Sequence, residues 1–458
     1  MLPLPAAFTT AFVARFGPAE LAAYREAMEQ PTPTSIRLNP AKPVAEQLLP
    51  PGDPVPWHPA GRYLAERPIF TLDPVFQAGG YYPQEASSMF IDYLLRQLNE
   101  PARINLALDL CAAPGGKSTL LRSVLRPGAV LVANEVIKAR HRTLRYNLAK
   151  WGLPRAWTTN LDPERFAPLA GRFDLVVVDA PCSGEGLFRR QESARTEWSP
   201  ANVKLCAARQ RRILAAAVPL LRPGGLLLYS TCTYNAAENE EQLTYLYKEY
   251  GLTPETVDLP PASGIVPTDG GGYRFFPQHL RGEGFFAAAL RVPAGNAPVH
   301  RDRPGKFRHW APAPAAQVAI AASYLDPAEE WQYFADQTGS LHALPAADLD
   351  TAQLMAAALG RIDFGLPLGA VKGKNLLPSG ESALHTALAA SVPRHAVDDP
   401  ETMIRVLRGE TPELTGLVRG PILLTYAGLG LAWVKGLGNR YNNNYPKGWR
   451  VRMGVGRE

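Results

Sequence analysis

Residues 104–292 predict an α/β domain whose mostly parallel sheet is covered by helices on both faces. Three observations carry this reading. Apolar runs at 104–110, 129–135, 156–160, 173–180, 225–232 and 285–292 alternate with helical patterns at 115–126, 137–151, 201–221 and 235–249. Three short blocks fall at the ends of such runs: Leu108 to Lys117, Val178 to Gly184, and Tyr229 to Thr233. The first block passes from an apolar strand through Gly115 and Gly116 into a helix, the grammar of a nucleotide-type cofactor turn. In open α/β sheets ligands sit at the carboxyl ends of strands, where all three blocks lie.

The flanking segments read differently. Residues 1–30 carry Leu, Ala and Phe at helical spacing through Leu21, Tyr24 and Met28, and Pro31 and Pro33 end the helix. Thr34 to Asn39 reads as a short strand, and the Pro-rich stretch to Pro59 as loops. Gly80 to Met89 reads as the start of a helix with polar groups in its first turn. Residues 294–316, rich in Pro, Arg and Ala, read as a linker. Short helices and strands follow, and 420–458 form a β-rich close with strands at Pro421 to Tyr426 and Gly430 to Val434.

A chain of 458 residues, 46% hydrophobic and 20% charged, holds two to four soluble globular domains. Its 44 prolines are scattered and punctuate loops. Net charge +6 points weakly to a polyanionic partner. The four cysteines, Cys111, Cys182, Cys206 and Cys232, form neither a disulfide framework nor a CxxC zinc pair, leaving buried or reactive thiols. Residues 1–17 read as an amphipathic helix, no run reaches a membrane span, and the expected location is the cytoplasm.

Glu135 ends the second apolar run, where an acid can bind both ribose hydroxyls. Asp162 follows the third, where a carboxylate can accept from an adenine amino group. In register at successive strand ends, the turn and the two acids favour an adenosyl ligand. A P-loop fits poorly: Gly116-Lys117-Ser118 matches its last positions, but Cys111 stands where it needs Gly. Asp179 closes the run Asp174 to Val178, and a carboxylate so placed is partly desolvated and has a partner or a task. Cys182 and Cys232 also follow strand ends. Two thiols beside a cofactor turn suggest a nucleophile, and the residues alone leave open which one it is. Cys111 and Cys206 read as structural thiols.

The blocks C-A-A-P-G-G-K (Cys111 to Lys117), D-A-P-C-S-G (Asp179 to Gly184) and S-T-C-T (Ser230 to Thr233) closely resemble RNA cytosine-5 methyltransferases of the NOL1/NOP2/Sun family. Tyr82 to Met89, Ala133 to Glu135, Gly184 to Gly186, Trp198 to Pro200, Glu238 to Glu240, Phe276 to Gln278 and Gly284 to Phe286 resemble its bacterial ribosomal RNA branch of RsmF (YebU) type. Asn439 to Lys447 is similar to the tail of that branch's PUA-like domain. The match is strong over about 30–293 and poor over 300–400. Arg189 and Arg190 supply the charge the branch often carries as Lys or Arg after Gly-Glu-Gly.

The resemblance implies a Rossmann-like S-adenosylmethionine-dependent methyltransferase fold with an N-terminal α+β RNA-binding segment and a C-terminal PUA-like β-rich domain. The expected division is 1–102 for RNA binding, 103–293 for catalysis, a linker at 294–316, an intermediate α+β region at 317–395 and the PUA-like domain at 396–458. S-adenosylmethionine would lie in the turn Cys111, Ala112, Ala113, Pro114, Gly115, Gly116 and Lys117. Glu135 would hold the ribose and Asp162 the adenine, with Arg140 a further cofactor residue. Asp179 would lie near both methyl donor and target base, Cys232 would be the nucleophile, and Cys182 would help release the product. DNA cytosine methyltransferases instead use the Cys of a Pro-Cys motif, here Cys182.

Carbon 5 of cytosine is a poor nucleophile, and a thiolate added at carbon 6 activates it toward an electrophilic methyl group. An acid at N3 stabilises the charge that develops, and a proton acceptor must clear carbon 5. The expected substrate is ribosomal RNA or the small ribosomal subunit, met by a monomer without a metal. Transfer RNA is the alternative substrate, and a non-catalytic RNA-binding assembly factor the alternative class. The tail residues Trp433, Lys435, Arg440, Tyr441, Tyr445, Lys447, Trp449, Arg450 and Arg452 suit RNA backbone contact, as do Arg37 and Asn39 near the N-terminus.

Overall fold

The computed structural model describes residues 3–295, 305 and 307–453. Its centre is a nine-stranded sheet. Strands Leu221–Thr231, Phe173–Asp179, Leu106–Asp109, Val130–Asn134 and Ala156–Thr159 run parallel in that spatial order. Phe285–Arg291 joins antiparallel beside Leu221–Thr231 and carries the remaining short strands beyond it. The chain starts at Leu106–Asp109, builds outward on one side, then returns to build on the other. That reversal opens a crevice at the strand ends. All six predicted strands and all four helical patterns are present, as helices Gly116–Val124, Lys138–Trp151, Pro200–Ala217 and Glu240–Tyr250.

Period-2 alternation fills both faces. Val176 and Val178 point into one core with Ile213, Leu214 and Leu246. Leu175 and Val177 point into the other with Leu120, Leu121 and Phe90. The outer strand Ala156–Thr159 is not left open: Thr158 N–H donates to Asp363 O and Asp363 N–H returns to Thr158 O, each at 2.9 Å. This protects a sheet edge that would otherwise present unpaired backbone.

The N-terminal helical stretch is two helices, Ala6–Phe16 and Pro18–Glu29, parted at Gly17. Phe8, Phe12 and Tyr24 pack them onto Phe188, Trp198, Tyr234 and Phe276, around the loops that follow the second and third motif blocks. The expected loops before Pro59 are corrected: Gly52–Val55 and His58–Leu64 are strands of a four-stranded sheet with Thr34–Leu38 and Tyr81–Pro83. The stretch 80–89 likewise opens with that last strand, and the α-helix begins only at Phe90. Tyr81 and Pro83 pair with Leu38 and Ile36, so tertiary pairing overrides the local helical signal.

Residues 296–304 and 306 of the expected linker lie outside the described residues, and Trp310–Pro312 at its end is a strand. It edges a five-stranded antiparallel sheet with Trp331–Asp336, Ser340–Pro345, Leu366–Lys372 and Asn375–Pro378. The helix Leu349–Leu359 from this region buries Ala352, Met355 and Leu359 in the central core. A last four-stranded sheet, Arg394–Ala396, Gly420–Tyr426, Leu429–Gly436 and Tyr441–Asn443, shares a core with Ile36, Leu64, Val75 and Tyr81.

This packing corrects part of the expected RNA surface. Arg37 is buried, with Nε donating to Gln84 Oε1 at 2.8 Å and Nη2 to Thr119 Oγ1 at 2.6 Å, over the Trp151 ring. Burial lowers its pKa to about 9. Asn39 is buried too and ties Gly79 O to Trp151 O. Both join the N-terminal segment to the central α/β sheet and its helices. Trp433, Tyr441 and Tyr445 are core residues, whereas Lys435, Arg440, Lys447 and Arg452 remain exposed.

Candidate active site

Parallel register brings the motif blocks together. Val177 pairs with Asp109, and Asp179 with Ser230, so the loops leaving three neighbouring strands converge at one level. They line a cavity of about 780 Å³, ample for a nucleoside-sized ligand. Cys111, Ala112, Ala113, Pro114, Gly116, Lys117, Glu135, Arg140, Asp179, Cys182 and Cys232 all line it.

Two expected residues do not. Gly115 caps the helix Gly116–Val124 at φ 113°, a left-handed conformation that glycine adopts without strain. It shapes the turn from behind, after a cis Ala113–Pro114 bond. Asp162 instead caps the turn Pro163–Leu169 by accepting from Glu164 N–H, and pairs with Arg212 at 3.2 Å. Its neighbour Pro163 is the residue that reaches the cavity wall.

Around the turn, Arg140 donates to Ala113 O at 2.7 Å and lies 3.4 Å from Glu135. Glu135 accepts from Ile137 N–H at 2.9 Å. Lys117 Nζ contacts Asp179 Oδ2 at 2.8 Å, and Ser230 Oγ donates to Asp179 Oδ1 at 2.8 Å. Asp109, absent from the expected set, is fully buried and lines the same cavity. Burial pushes its pKa up to about 7, against the pull of the Ser118 hydroxyl, which donates to Oδ2 at 2.6 Å. Its Oδ1 has no partner. The signal that singled out Asp179, an acid closing an apolar strand, was present at Asp109 as well.

The two cysteines, 50 residues apart, meet with Sγ atoms 2.9 Å apart, and Cys232 N–H lies 3.3 Å from Cys182 Sγ. The hydrogen bond with Cys232, and burial after it, hold the Cys182 thiol well above its ordinary range. Behind them Glu238 accepts from Ser183 N–H, Gln210 Nε2 and Asn235 Nδ2 at 2.8–2.9 Å. Glu185 likewise accepts from the Tyr234 and Asn235 N–H groups and Trp198 Nε1. These buried acids fix both cysteine loops, and their role was invisible in sequence because most of their donors lie on other segments. Gly186 and Gly284 let the adjoining backbones touch: a Cβ on Gly186 would stand 2.3 Å from Gly284 O. Arg190, Arg209 and Arg212 also line the cavity, giving it a cationic side.

Fold and site define the class: a Rossmann-like methyltransferase with an added N-terminal domain and a C-terminal PUA domain. Three family models match, described as 16S rRNA methyltransferase RsmB/F (residues 96–291), the N-terminal domain of 16S rRNA methyltransferase RsmF (4–86) and the methyltransferase RsmF PUA domain (395–451). Ribosomal RNA small subunit methyltransferase F of Enterobacter sp. (strain 638) is 30% identical, covering 93% of this chain and 91% of that one. Its counterpart in Pectobacterium carotovorum is 32% identical over 80% and 77% of the two chains. The chain therefore belongs to the ribosomal RNA small subunit methyltransferase F family. Among solved structures, a methyltransferase homolog protein from Pyrococcus horikoshii is 28% identical with TM-score 0.54, covering 62% of this chain and 94% of that one. NSun6 from the same organism, solved with SFG, shares the fold at 21% identity and TM-score 0.54, over 63% and 98%.

Among the described residues no helix is long and apolar enough to cross a membrane, and no group of three His, Cys, Asp or Glu could hold a metal.

Proposed function

We propose that this chain is an S-adenosylmethionine-dependent methyltransferase of small-subunit ribosomal RNA, acting at carbon 5 of cytidine through a covalent cysteine adduct. The carrying observation is the pair Cys182 and Cys232 in contact on the wall of one cavity with the Cys111–Lys117 turn. Ribosomal RNA as substrate rests on the family, whose members carry that activity in their names.

The cavity suits the cofactor. Asp109, Glu135 and Asp179 set three carboxylates against Lys117 and Arg140, and the first has an unpartnered oxygen. Such a wall favours a ligand carrying sulfonium and ammonium charge. The cofactor, when bound, supplies an electrophilic methyl group. Glu135 would hold the ribose, Arg140 would brace the turn, and the Asp162 segment would cover the adenine through Pro163.

Cys232 acts as nucleophile: its sulfur bonds to carbon 6 of the base, and the electron pair moves onto carbon 5, which takes the methyl group. Asp179, held by Lys117 and Ser230, would set its partner Lys117, a proton donor, toward the charge that gathers at N3. Loss of the carbon-5 proton then expels the Cys232 thiolate. Cys182, whose surroundings keep it a thiol, suits proton traffic in that release better than attack.

Wild type, Cys182→Ala and Cys232→Ala, each incubated with cofactor and ribosomal RNA and run on denaturing gels, test the assignment. Cys182→Ala is expected to leave a stable protein–RNA adduct, and Cys232→Ala neither adduct nor methylation. An adduct with Cys232→Ala reverses the roles. Incorporation into transfer RNA alone moves the substrate, and no incorporation into any RNA removes the methyltransferase reading.

A further inference from the structure

Resting on the RNA reading above, we infer that the junction between the catalytic sheet edge and the five-stranded sheet is a second RNA site, taking one unpaired, amino-bearing base of the substrate strand, guanine fitting best, with its flanking phosphates in an adjoining basic groove. The three matched family models leave residues 292–394, which build most of this junction, uncovered.

The cavity there measures about 310 Å³ and is separate from the catalytic one. Its aromatic wall is Trp310, Trp331 and Phe364. Trp310 is braced, with its ring centroid 4.2 Å from Phe364 and 4.4 Å from His342, yet it stays partly exposed. A rigid, partly open ring at a cavity wall is what a splayed base stacks on.

Beside Arg145 and Arg155, the wall holds several acceptors with no hydrogen-bond donor of their own. His342 Nε2 faces Asp336 Oδ2 at 3.4 Å, and its Nδ1 is buried with no partner. Burial holds this imidazole neutral, so Nδ1 is a bare acceptor when Nε2 carries the proton. Thr158 Oγ1 is buried and unpartnered in the same wall. Asp363 and Glu381 meet Arg145 only at 3.6 Å, beyond hydrogen-bond length, and keep their lone pairs. A base with adjacent ring N–H and amino donors satisfies such a wall. Guanine presents both on one edge, and uracil lacks the amino group.

The adjoining cavity, about 300 Å³, shares Arg145, Thr158 and Asp363 with the first. It adds Lys138, Arg142 and Arg361, all exposed, and His141, whose Nε2 is buried without a partner. Lys138 lies in the first turn of the helix Lys138–Trp151, which has no acidic residue there. Cations at the positive end of a helix dipole suit an anion. The groove ends at Asn160, which donates to Glu135 O and Val136 O on the cofactor cavity wall. A strand of RNA can thus run from the catalytic cavity to the aromatic one along phosphate-binding side chains.

The test uses full-length protein with cofactor: wild type, Trp310→Phe, Trp310→Ala, and the exposed double variant Arg142→Glu/Arg361→Glu. Methylation kinetics on ribosomal RNA are read with ultraviolet RNA–protein crosslinking mapped by mass spectrometry, and thermal unfolding checks that each variant is folded. The expectation is crosslinks on peptides spanning 138–145 and 310–364. KM for RNA should rise roughly tenfold or more for Trp310→Ala and the double variant, with kcat kept. Trp310→Phe should stay near wild type. Active wild type with crosslinks only elsewhere and unchanged KM in the variants overturns this site and leaves the proposed function standing. Crosslinks at the junction without methyl transfer overturn the proposed function and keep the site. If neither occurs, both fall.

Discussion

Asp109→Asn separates what the fold requires of this position from what ligand binding requires. In the unfolded chain the carboxyl titrates at its ordinary value of 3.8, whereas burial raises it to about 7 in the folded chain. The sign follows by linkage. Below pH 3.8 both states are protonated and the group costs nothing. Between 3.8 and 7 the unfolded state loses a proton that the native state keeps, so stability falls as pH rises, and above 7 the loss is complete. The whole window amounts to about 4 kcal/mol at about 1.4 kcal/mol per pH unit. From pH 5.5 to 8.5 the wild type should lose about 2 kcal/mol relative to the variant, because an amide does not titrate. Urea unfolding of both proteins without cofactor, at a series of pH values, measures that difference directly, and other acids cancel in the comparison. Calorimetry at pH 8.5, where the folded-state carboxyl is ionised, should show cofactor affinity falling about tenfold or more, since the wall loses a carboxylate opposite a cationic ligand. A stability difference flat with pH would refute the buried, proton-holding carboxyl.

Further perturbations test the supports around the site. Glu238→Gln puts an amide group among three donors, at a cost of about 1.5–3 kcal/mol; kcat should fall at least tenfold with cofactor affinity unchanged, measured by methyl-transfer kinetics and calorimetry. Gly115→Ala forces a side chain onto φ 113°, costing about 1–3 kcal/mol, and cofactor titration should show weaker binding. Arg155 is buried against Asp348 at 2.8 Å and pairs Glu329 at 3.0 Å, joining the catalytic sheet edge to the five-stranded region. Arg155→Ala strands a buried carboxylate at about 3–5 kcal/mol, so limited proteolysis should cut 310–378 first while the catalytic domain persists.

The sequence by itself determined the central sheet. Six buried strands alternating with four helices leave few arrangements, because apolar runs must be covered on both faces and crossovers are right-handed. It also pointed to most of the residues that line the cavity at the strand ends, Cys111 to Pro114, Gly116, Lys117, Glu135, Asp179 and both cysteines, since a strand end followed by a tight turn is a local signal. What lay beyond local reach was decided by partners distant in the chain. Asp162 takes Arg212 as its partner, while Arg37 and Asn39 are buried against two helices some 80 to 110 residues away. Tyr81 and Pro83 became strand residues because Thr34–Leu38 offered them a ladder. The contact between Cys182 and Cys232, the raised pKa of Asp109 and the junction around Trp310 and Thr158 belong to the same class. Each depends on the burial and register of elements that only packing brings together, and no spacing along the chain encodes a desolvation energy.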